Sequence, residues 1–203
     1  MNNPPPTRID TDICVIGAGS GGLSVAAGAS QMGARVVLIE KGEMGGDCLN
    51  YGCVPSKALL AAGHAAQAVR DAGRFGVRAT LDGLDGKAVY GHVESVIDAI
   101  RPMDSQERFE GLGVTVIREH GRFTGPDRVQ AGDTEIRAKR FVVATGSSAA
   151  VPPIPGLDGV DFLTNESVFD RDSLPEHLIV IGGGPIGVEM AQAHAQLGCK
   201  VTL

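Results

Sequence analysis

The sequence predicts an α/β fold built from repeated strand–turn–helix–strand units, on three observations. Residues 13–38 are matched by residues 178–203 at one constant offset, which aligns Val15 with Val180, Gly17 with Gly182, Gly19 with Gly184 and Gly22 with Gly187. Each copy reads as an apolar strand, a glycine-rich turn, an Ala-rich helix ending at a glycine and a second apolar strand. After Gly113, alternating runs at 114–123, 128–131 and 135–143, joined by Gly-Pro-Asp and Gly-Asp turns, read as a small β-meander added to the α/β core.

The glycines of the first copy have separable duties in a G-x-G-x-x-G turn. Gly17 permits the tight exit from the strand, Gly19 lets the backbone approach a pyrophosphate, and Gly22 allows the helix to pack close on the sheet. The first helical residues, Ser20 and Gly21 among them, then present their amides to the anion. Glu40 ends the second strand in Val36-Val37-Leu38-Ile39-Glu40, where its carboxylate can accept hydrogen bonds from an adenosine ribose, with Lys41 beside it. Two copies of the motif in the right context, one with its acid, point to a Rossmann-like dinucleotide-binding domain followed by a second; glycines serving only as turns are the alternative. The second copy contributes Gly182, Gly184, Pro185, Ile186 and Gly187.

Between the copies stands Gly45-Gly46-Asp47-Cys48-Leu49-Asn50-Tyr51-Gly52-Cys53-Val54-Pro55-Ser56-Lys57. In an unbroken α-helix, residues five apart have Cα atoms roughly 8–9 Å apart, beyond the ~7 Å reach of a disulfide, so a bonded Cys48–Cys53 pair requires a distorted segment. Gly52 and Pro55 are places for that distortion. A pair near a helix start also gains thiolate stabilisation from the helix dipole. The alternatives are a structural zinc site, for which no nearby His or Cys has suitable spacing, or two core thiols. Cys14 sits among apolar strand residues and Cys199 just before the last strand, where a thiol behaves as a small hydrophobe; neither is expected to react.

These residues resemble the class I pyridine nucleotide–disulfide oxidoreductase family, which includes dihydrolipoamide dehydrogenase, glutathione reductase and mercuric reductase. The resemblance extends to Val142-Val143-Ala144-Thr145-Gly146, similar to the strand that closes the family's FAD site, to Gly121 after His120, and to the linker Pro152-Pro153-Ile154-Pro155-Gly156. It implies FAD and NAD or NADP as cofactors, with Gly46, Asp47, Cys48, Lys57, Ala144, Thr145 and Gly146 among the flavin-binding residues. It further implies that electrons pass from NAD(P)H through FAD to a Cys48–Cys53 disulfide and on to a disulfide or related substrate. Cys53 would face the flavin and Cys48 would exchange with substrate. Lys57 matches the family lysine near the reactive flavin nitrogen, and Glu189, in Gly187-Val188-Glu189-Met190, matches its ion-pair partner. Asp47 stands where Thr is usual and Tyr51 where a small aliphatic is usual; an Asp beside Cys48 disfavours a thiolate unless its carboxylate is hydrogen-bonded.

The expected organisation is a disordered tail at 1–8, an FAD-binding domain at 9–150, a linker at 151–176, and the first β-α-β elements of a truncated NAD(P)-binding domain at 177–203. Helices are expected from Lys57 to about Ala72 and over 93–110. The counterpart of Glu40 would fall two places beyond Leu203, so NAD and NADP are not distinguished, and the 203-residue fragment alone is expected to be inactive. The full-length enzyme is expected to be a dihydrolipoamide dehydrogenase-like homodimer, with a mercuric reductase-like metal-ion reductase or a non-catalytic FAD-binding module as alternatives.

Composition narrows the classes further. Hydrophobic residues make up 43 % of the chain, enough for a packed core, and the net charge of −6 with scattered basic residues argues against nucleic acid. Residues 13–29 are apolar but hold five glycines and follow Asp10 and Asp12 without a basic leader, so they read as buried strand and helix, not as a membrane segment. Four cysteines do not make a secreted disulfide scaffold, so a reducing cytoplasm is the expected location and no bound metal is expected. None of the five histidines falls in the family's acid–base motif.

Overall fold

The computed structural model describes residues 7–203, and the chain divides into two compact units. One comprises the chain up to Asn50 together with Ile100–Ala150; the other comprises Tyr51–Ala99 with Val151–Leu203.

The first unit is organised by a six-stranded sheet in the order β3-β2-β1-β6-β5-β4. Strands β1 (Thr7–Ile16), β2 (Val36–Ile39), β3 (Thr115–Ile117) and β6 (Thr134–Val143) run parallel, while β5 (Arg128–Ala131) pairs antiparallel with β6 and β4 (Gly121–Gly125) antiparallel with β5. Side chains alternate across the pleat. Val15 and Leu38 join Leu23 and Ala26 of α1 (Ser20–Gln31) and Phe109 of α5 (Gln106–Gly111) in one buried cluster. Cys14, Val37 and Ile39 point the other way into a second cluster with Val129, Ala131 and Ile136. β2 is buried along its whole length, as expected for a parallel strand covered on both faces.

The second unit holds α3 (Cys53–Asp71), α4 (Gly86–Ile100), α6 (Pro185–Gln196) and the parallel pair β7 (His177–Ile179) and β8 (Lys200–Thr202). Its core joins Ala58, Leu59 and Leu60 of α3, Tyr90 and Val93 of α4, Val168, and Met190, Ala193 and Leu197 around α6. Gly63 is what lets α3 and α6 approach: a Cβ there would lie 3.0 Å from Gln196 Oε1 and 3.2 Å from the Ala193 carbonyl. The helices between 51 and 99, read from the sequence with the FAD domain, thus share a core with the 177–203 elements because their apolar faces meet α6.

Several expectations are corrected. Thr7 and Arg8 belong to β1 and not to a disordered tail, since they pair with Thr134 and Glu135 of β6; residues 1–6 lie outside the described residues. The helix expected over 93–110 is interrupted: α4 starts at Gly86 and ends at Ile100, a tight turn of helix at Arg101–Asp104 contains Pro102, and Ser105 starts α5 by accepting a hydrogen bond from Arg108 N at 3.2 Å. The single strand expected over 114–123 is two strands on opposite edges of the sheet, β3 pairing β2 and β4 pairing β5. The expected break between the cysteines is present: α2 (Gly46–Asn50) ends and α3 begins on either side of Tyr51 and Gly52. Among the described residues no helix is long and apolar enough to cross a membrane, and none group as a metal-holding cluster.

Candidate functional site

The first glycine turn is fixed by contacts that no side chain could share. Gly17 has φ +105°, its amide donates to the Ile39 carbonyl at 2.8 Å, and a Cβ there would lie 2.1 Å from the Ala144 carbonyl oxygen. A Cβ on Gly22 would lie 1.8 Å from the Gly17 carbonyl oxygen, so α1 rests directly on the turn. The Ala144 amide donates to the Ile16 carbonyl at 2.8 Å, which continues the β1–β6 ladder past the strand ends and brings Ala144, Thr145 and Gly146 to the carboxyl end of the sheet. By contrast, a Cβ on Gly21 meets nothing within 4 Å, and one on Gly19 meets only Gly46 Cα at 3.9 Å. The helix start at Ser20 and Gly21 is therefore open to an approaching group, and its first amides have no intrahelical acceptor.

Glu40 closes this turn from the next strand. Its Oε2 accepts from Ala18 N at 2.5 Å and its Oε1 from Gly42 N at 2.7 Å. A carboxylate has about four acceptor positions, of which these two bonds use two. The neighbouring Lys41 is exposed. Arg118, which the sequence reading passed over, donates to the Gly42 carbonyl and braces the same loop.

A second glycine pair joins this turn to the cysteine segment. Gly45 N donates to the Ala18 carbonyl at 2.9 Å and Gly45 bridges Gly19, while Gly46, at φ +55°, would place a Cβ 2.7 Å from Gly19 Cα. Asn50, also missed, donates to the carbonyls of Met44 at 3.1 Å and Gly46 at 2.9 Å and so ties the end of α2 to its start. Asp47 and Cys48 therefore lie within two residues of a backbone contact with the first glycine turn. Gly121, at the start of β4, sits against Ile16 and Ile39, where a Cβ would be 3.4 Å from each.

Cys48 is half-buried and Cys53 exposed. No disulfide joins these two residues in this structure. Cys14 is buried and its thiol pushed up to about 12 by that burial, and burial also raises Cys199. Both are core residues, in keeping with their reading as small hydrophobes.

In the second unit the glycine turn repeats the first in detail. Gly182 has φ +117°, a Cβ on Gly187 would lie 2.0 Å from the Gly182 carbonyl oxygen, and Gly184 precedes α6 with φ −75° and ψ 176°, against −77° and −178° at Gly19. Pro185 occupies the first helical position, where its missing N–H costs nothing, and Ile186 beside it is exposed. Lys57 of α3 and Glu189 of α6 meet: Lys57 Nζ lies 2.8 Å from both Glu189 carboxylate oxygens. The Lys57 ammonium holds the Glu189 carboxyl below the usual carboxylate range.

Two glycine turns of this shape, each opening on helix amides and one carrying a ribose-type carboxylate, fit adenine dinucleotides. The fit rests on the cradle itself, since the close contacts at Gly17, Gly22, Gly46 and Gly187 admit backbone alone.

Residues 11–203 match the family described as pyridine nucleotide-disulphide oxidoreductase. Among curated relatives, the mercuric reductase of Streptomyces lividans is 37 % identical over 198 residues, covering 95 % of this chain and 42 % of its own. The chloroplastic dihydrolipoyl dehydrogenase 2 of Arabidopsis thaliana is 33 % identical over 204 residues, covering 99 % and 36 %. Among solved structures, the Cu(II) complex of the HOCl-induced flavoprotein disulfide reductase RclA from Escherichia coli superposes with a TM-score of 0.77 at 28 % identity, over 94 % of this chain and 40 % of that one. The chain thus spans about two-fifths of the length of these relatives.

Proposed function

Because this chain belongs to the pyridine nucleotide-disulphide oxidoreductase family, we propose that Cys48 and Cys53 are its dithiol–disulfide couple, serving an FAD- and NAD(P)H-dependent reduction. The observation that carries this reading is the contact of Gly45 and Gly46 with Gly19, which sets Cys48 two residues from the dinucleotide turn. FAD held by Gly17, Gly19, Ser20, Gly21, Gly22, Glu40, Gly121 and the Ala144-Thr145-Gly146 strand end would supply hydride acceptance from the nicotinamide and electron-pair transfer to sulfur.

The chain's own residues perform the exchange. The Cys48 thiolate attacks one sulfur of a substrate disulfide and expels the other as a thiolate; Cys53 then attacks Cys48, releases the second substrate thiolate and leaves the Cys48–Cys53 disulfide. The substrate gains the two electrons the pair loses. Lys57 is assigned to the flavin as a stabilising cation, and Glu189 fixes where its ammonium points. Gly182, Gly184, Pro185, Ile186 and Gly187 are assigned to the NAD(P)H pyrophosphate. The cytoplasmic homodimer expected from the sequence belongs to the same proposal.

For substrate we favour a dihydrolipoamide-type dithiol or disulfide. A metal-ion reductase is the second reading, supported by the relatives named mercuric reductase and by the capacity of paired thiolates to bind a soft cation. The deciding experiment is anaerobic titration with NADH or NADPH, followed by assay with lipoamide and with Hg(II). A long-wavelength thiolate-to-flavin band that disappears in Cys53→Ser, together with loss of disulfide-dependent turnover while the flavin is still reduced, supports the couple. Retained turnover in Cys53→Ser overturns it.

A further inference from the structure

Within the second unit, the apolar core around α6 contains one imidazole. His194 is 1 % exposed and Tyr90 of α4 is 4 % exposed, and both lie among Leu59, Val93, Met190, Ala193 and Leu197. His194 Nδ1 is 2.8 Å from the Met190 carbonyl oxygen and Nε2 is 3.2 Å from the Tyr90 hydroxyl. A carbonyl only accepts, so Nδ1 carries the proton; in the neutral ring Nε2 then accepts from the Tyr90 O–H. Each polar atom of the pair is satisfied by this one tautomer.

We propose that His194, held as the Nδ1–H tautomer between Met190 and Tyr90, is a positioning residue that fixes α6 on α4 and thereby holds Glu189 against Lys57. The inference deepens the reading of the Lys57–Glu189 pair given above and rests on it. Glu189 immediately precedes Met190, whose carbonyl receives the imidazole proton, so the residue that faces Lys57 and the residue that His194 grips are adjacent in one helical turn. Leu or Phe at 194 could fill the core, but neither could accept from Tyr90, whose buried hydroxyl would be left without its partner.

The device depends on the ring staying neutral. A protonated imidazole has no acceptor, so the Tyr90 O–H would lose its bond and a cation would sit in the apolar cluster. The groups around it resist that charge. Tyr90 faces it from α4, the Arg171 guanidinium repels a cation from the segment before β7, and Cys199 is a buried thiol ahead of β8; α3 contributes Ala58, Leu59 and Leu60. Burial and Arg171 lower the His194 pKa, with the Met190 carbonyl opposing. The unfolded chain therefore binds a proton at this site more readily than the folded one, and the contribution is lost as pH falls below about 6.5.

The test is NMR on the purified protein with 13C-carboxyl-labelled glutamate, the Glu189 signal being assigned by Glu189→Gln, in wild type, Tyr90→Phe, His194→Phe and His194→Gln. The 15N imidazole signals of wild type should report the Nδ1–H tautomer at neutral pH. The Glu189 midpoint should rise toward the ordinary carboxylate value in Tyr90→Phe and His194→Phe. His194→Gln keeps an acceptor for Tyr90 without titrating, and should hold the wild-type Glu189 midpoint while losing the acid-side weakening. Unchanged Glu189 midpoints in Tyr90→Phe and His194→Phe with native circular dichroism would overturn the proposal, as would the Nε2–H tautomer in wild type. If His194→Phe does not fold, the comparison of Tyr90→Phe with His194→Gln decides alone. The readout needs neither flavin nor turnover, so it stands apart from any failure of the Cys48–Cys53 assignment.

Discussion

Lys57 and Glu189, 132 positions apart, form an ion pair in which one ammonium lies 2.8 Å from both carboxylate oxygens. The Lys57 side chain is 62 % exposed and that of Glu189 36 %, so solvent screens the pair and it stabilises the fold by at most about 1 kcal/mol. Lys57→Met and Glu189→Gln should therefore leave the melting temperature nearly unchanged. If the ammonium stabilises charge on the reduced flavin, both should lower turnover by about tenfold or more. Equal losses of stability and turnover would assign the pair to folding instead.

Thiol reactivity should separate the four cysteines into two classes. Cys53 is exposed and Cys48 half-buried, whereas Cys14 is buried with its thiol pushed up to about 12 and Cys199 is buried with its thiol raised. A disulfide reagent applied to reduced native protein should modify Cys48 and Cys53 within the first phase, and Cys14 only after denaturant is added. Peptide mapping of the first-phase product checks this; early label on Cys14 would contradict the burial of the β1 strand.

Glycines in the two turns should divide sharply under substitution by alanine. At Gly17 the added Cβ meets backbone at 2.1 Å on top of a φ of +105°, and at Gly22 and Gly187 it meets the preceding turn's carbonyl at 1.8 Å and 2.0 Å. Backbone cannot yield as a side chain does, so Gly17→Ala and Gly22→Ala should give insoluble or unfolded protein. Gly21 is helical with nothing within 4 Å, so Gly21→Ala should fold and gain about 0.5–1 kcal/mol. Urea unfolding of the soluble variants measures the contrast.

The repeat made these turns legible. Because a tight strand-to-helix exit constrains glycine locally, the matching of Gly17 with Gly182 and Gly22 with Gly187 carried their geometry without tertiary information. Glu40 was readable for the same reason, as the end of an unbroken apolar strand. Lys57 and Glu189 were readable only through the family resemblance, since no local period relates residues on α3 and α6. The division of 114–123 into two edge strands was hidden because pairing partners, not local pattern, decide it: Val37, Leu38 and Ile39 take Thr115, Val116 and Ile117, and the chain then crosses to the far edge. His194 was invisible as a core residue because its sequence neighbours, Ala193 and Ala195, suit either face of a helix. Its partner Tyr90 lies on another helix altogether.

The last prediction concerns acid stability and a carboxylate outside the candidate site. Asp12 of β1 accepts from Arg35 N at 3.0 Å, from Arg35 Nε at 3.2 Å and from Lys139 Nζ at 2.8 Å, so it links the chain entering β2 and the strand β6 on either side of β1. Arg35, then Lys139, hold its carboxyl well below the usual carboxylate range. A carboxyl depressed in the folded state binds a proton more readily in the unfolded chain, so its contribution is present above the ordinary carboxylate pKa of about 4 and disappears as pH falls below it. Asp12→Asn should therefore lower the urea midpoint at neutral pH, with the gap from wild type closing in strong acid. Added salt should shrink the neutral-pH gap, because Arg35 and Lys139 are largely exposed. A gap that is constant from neutral pH into acid would mean that the charge on Asp12 is not the source of its contribution.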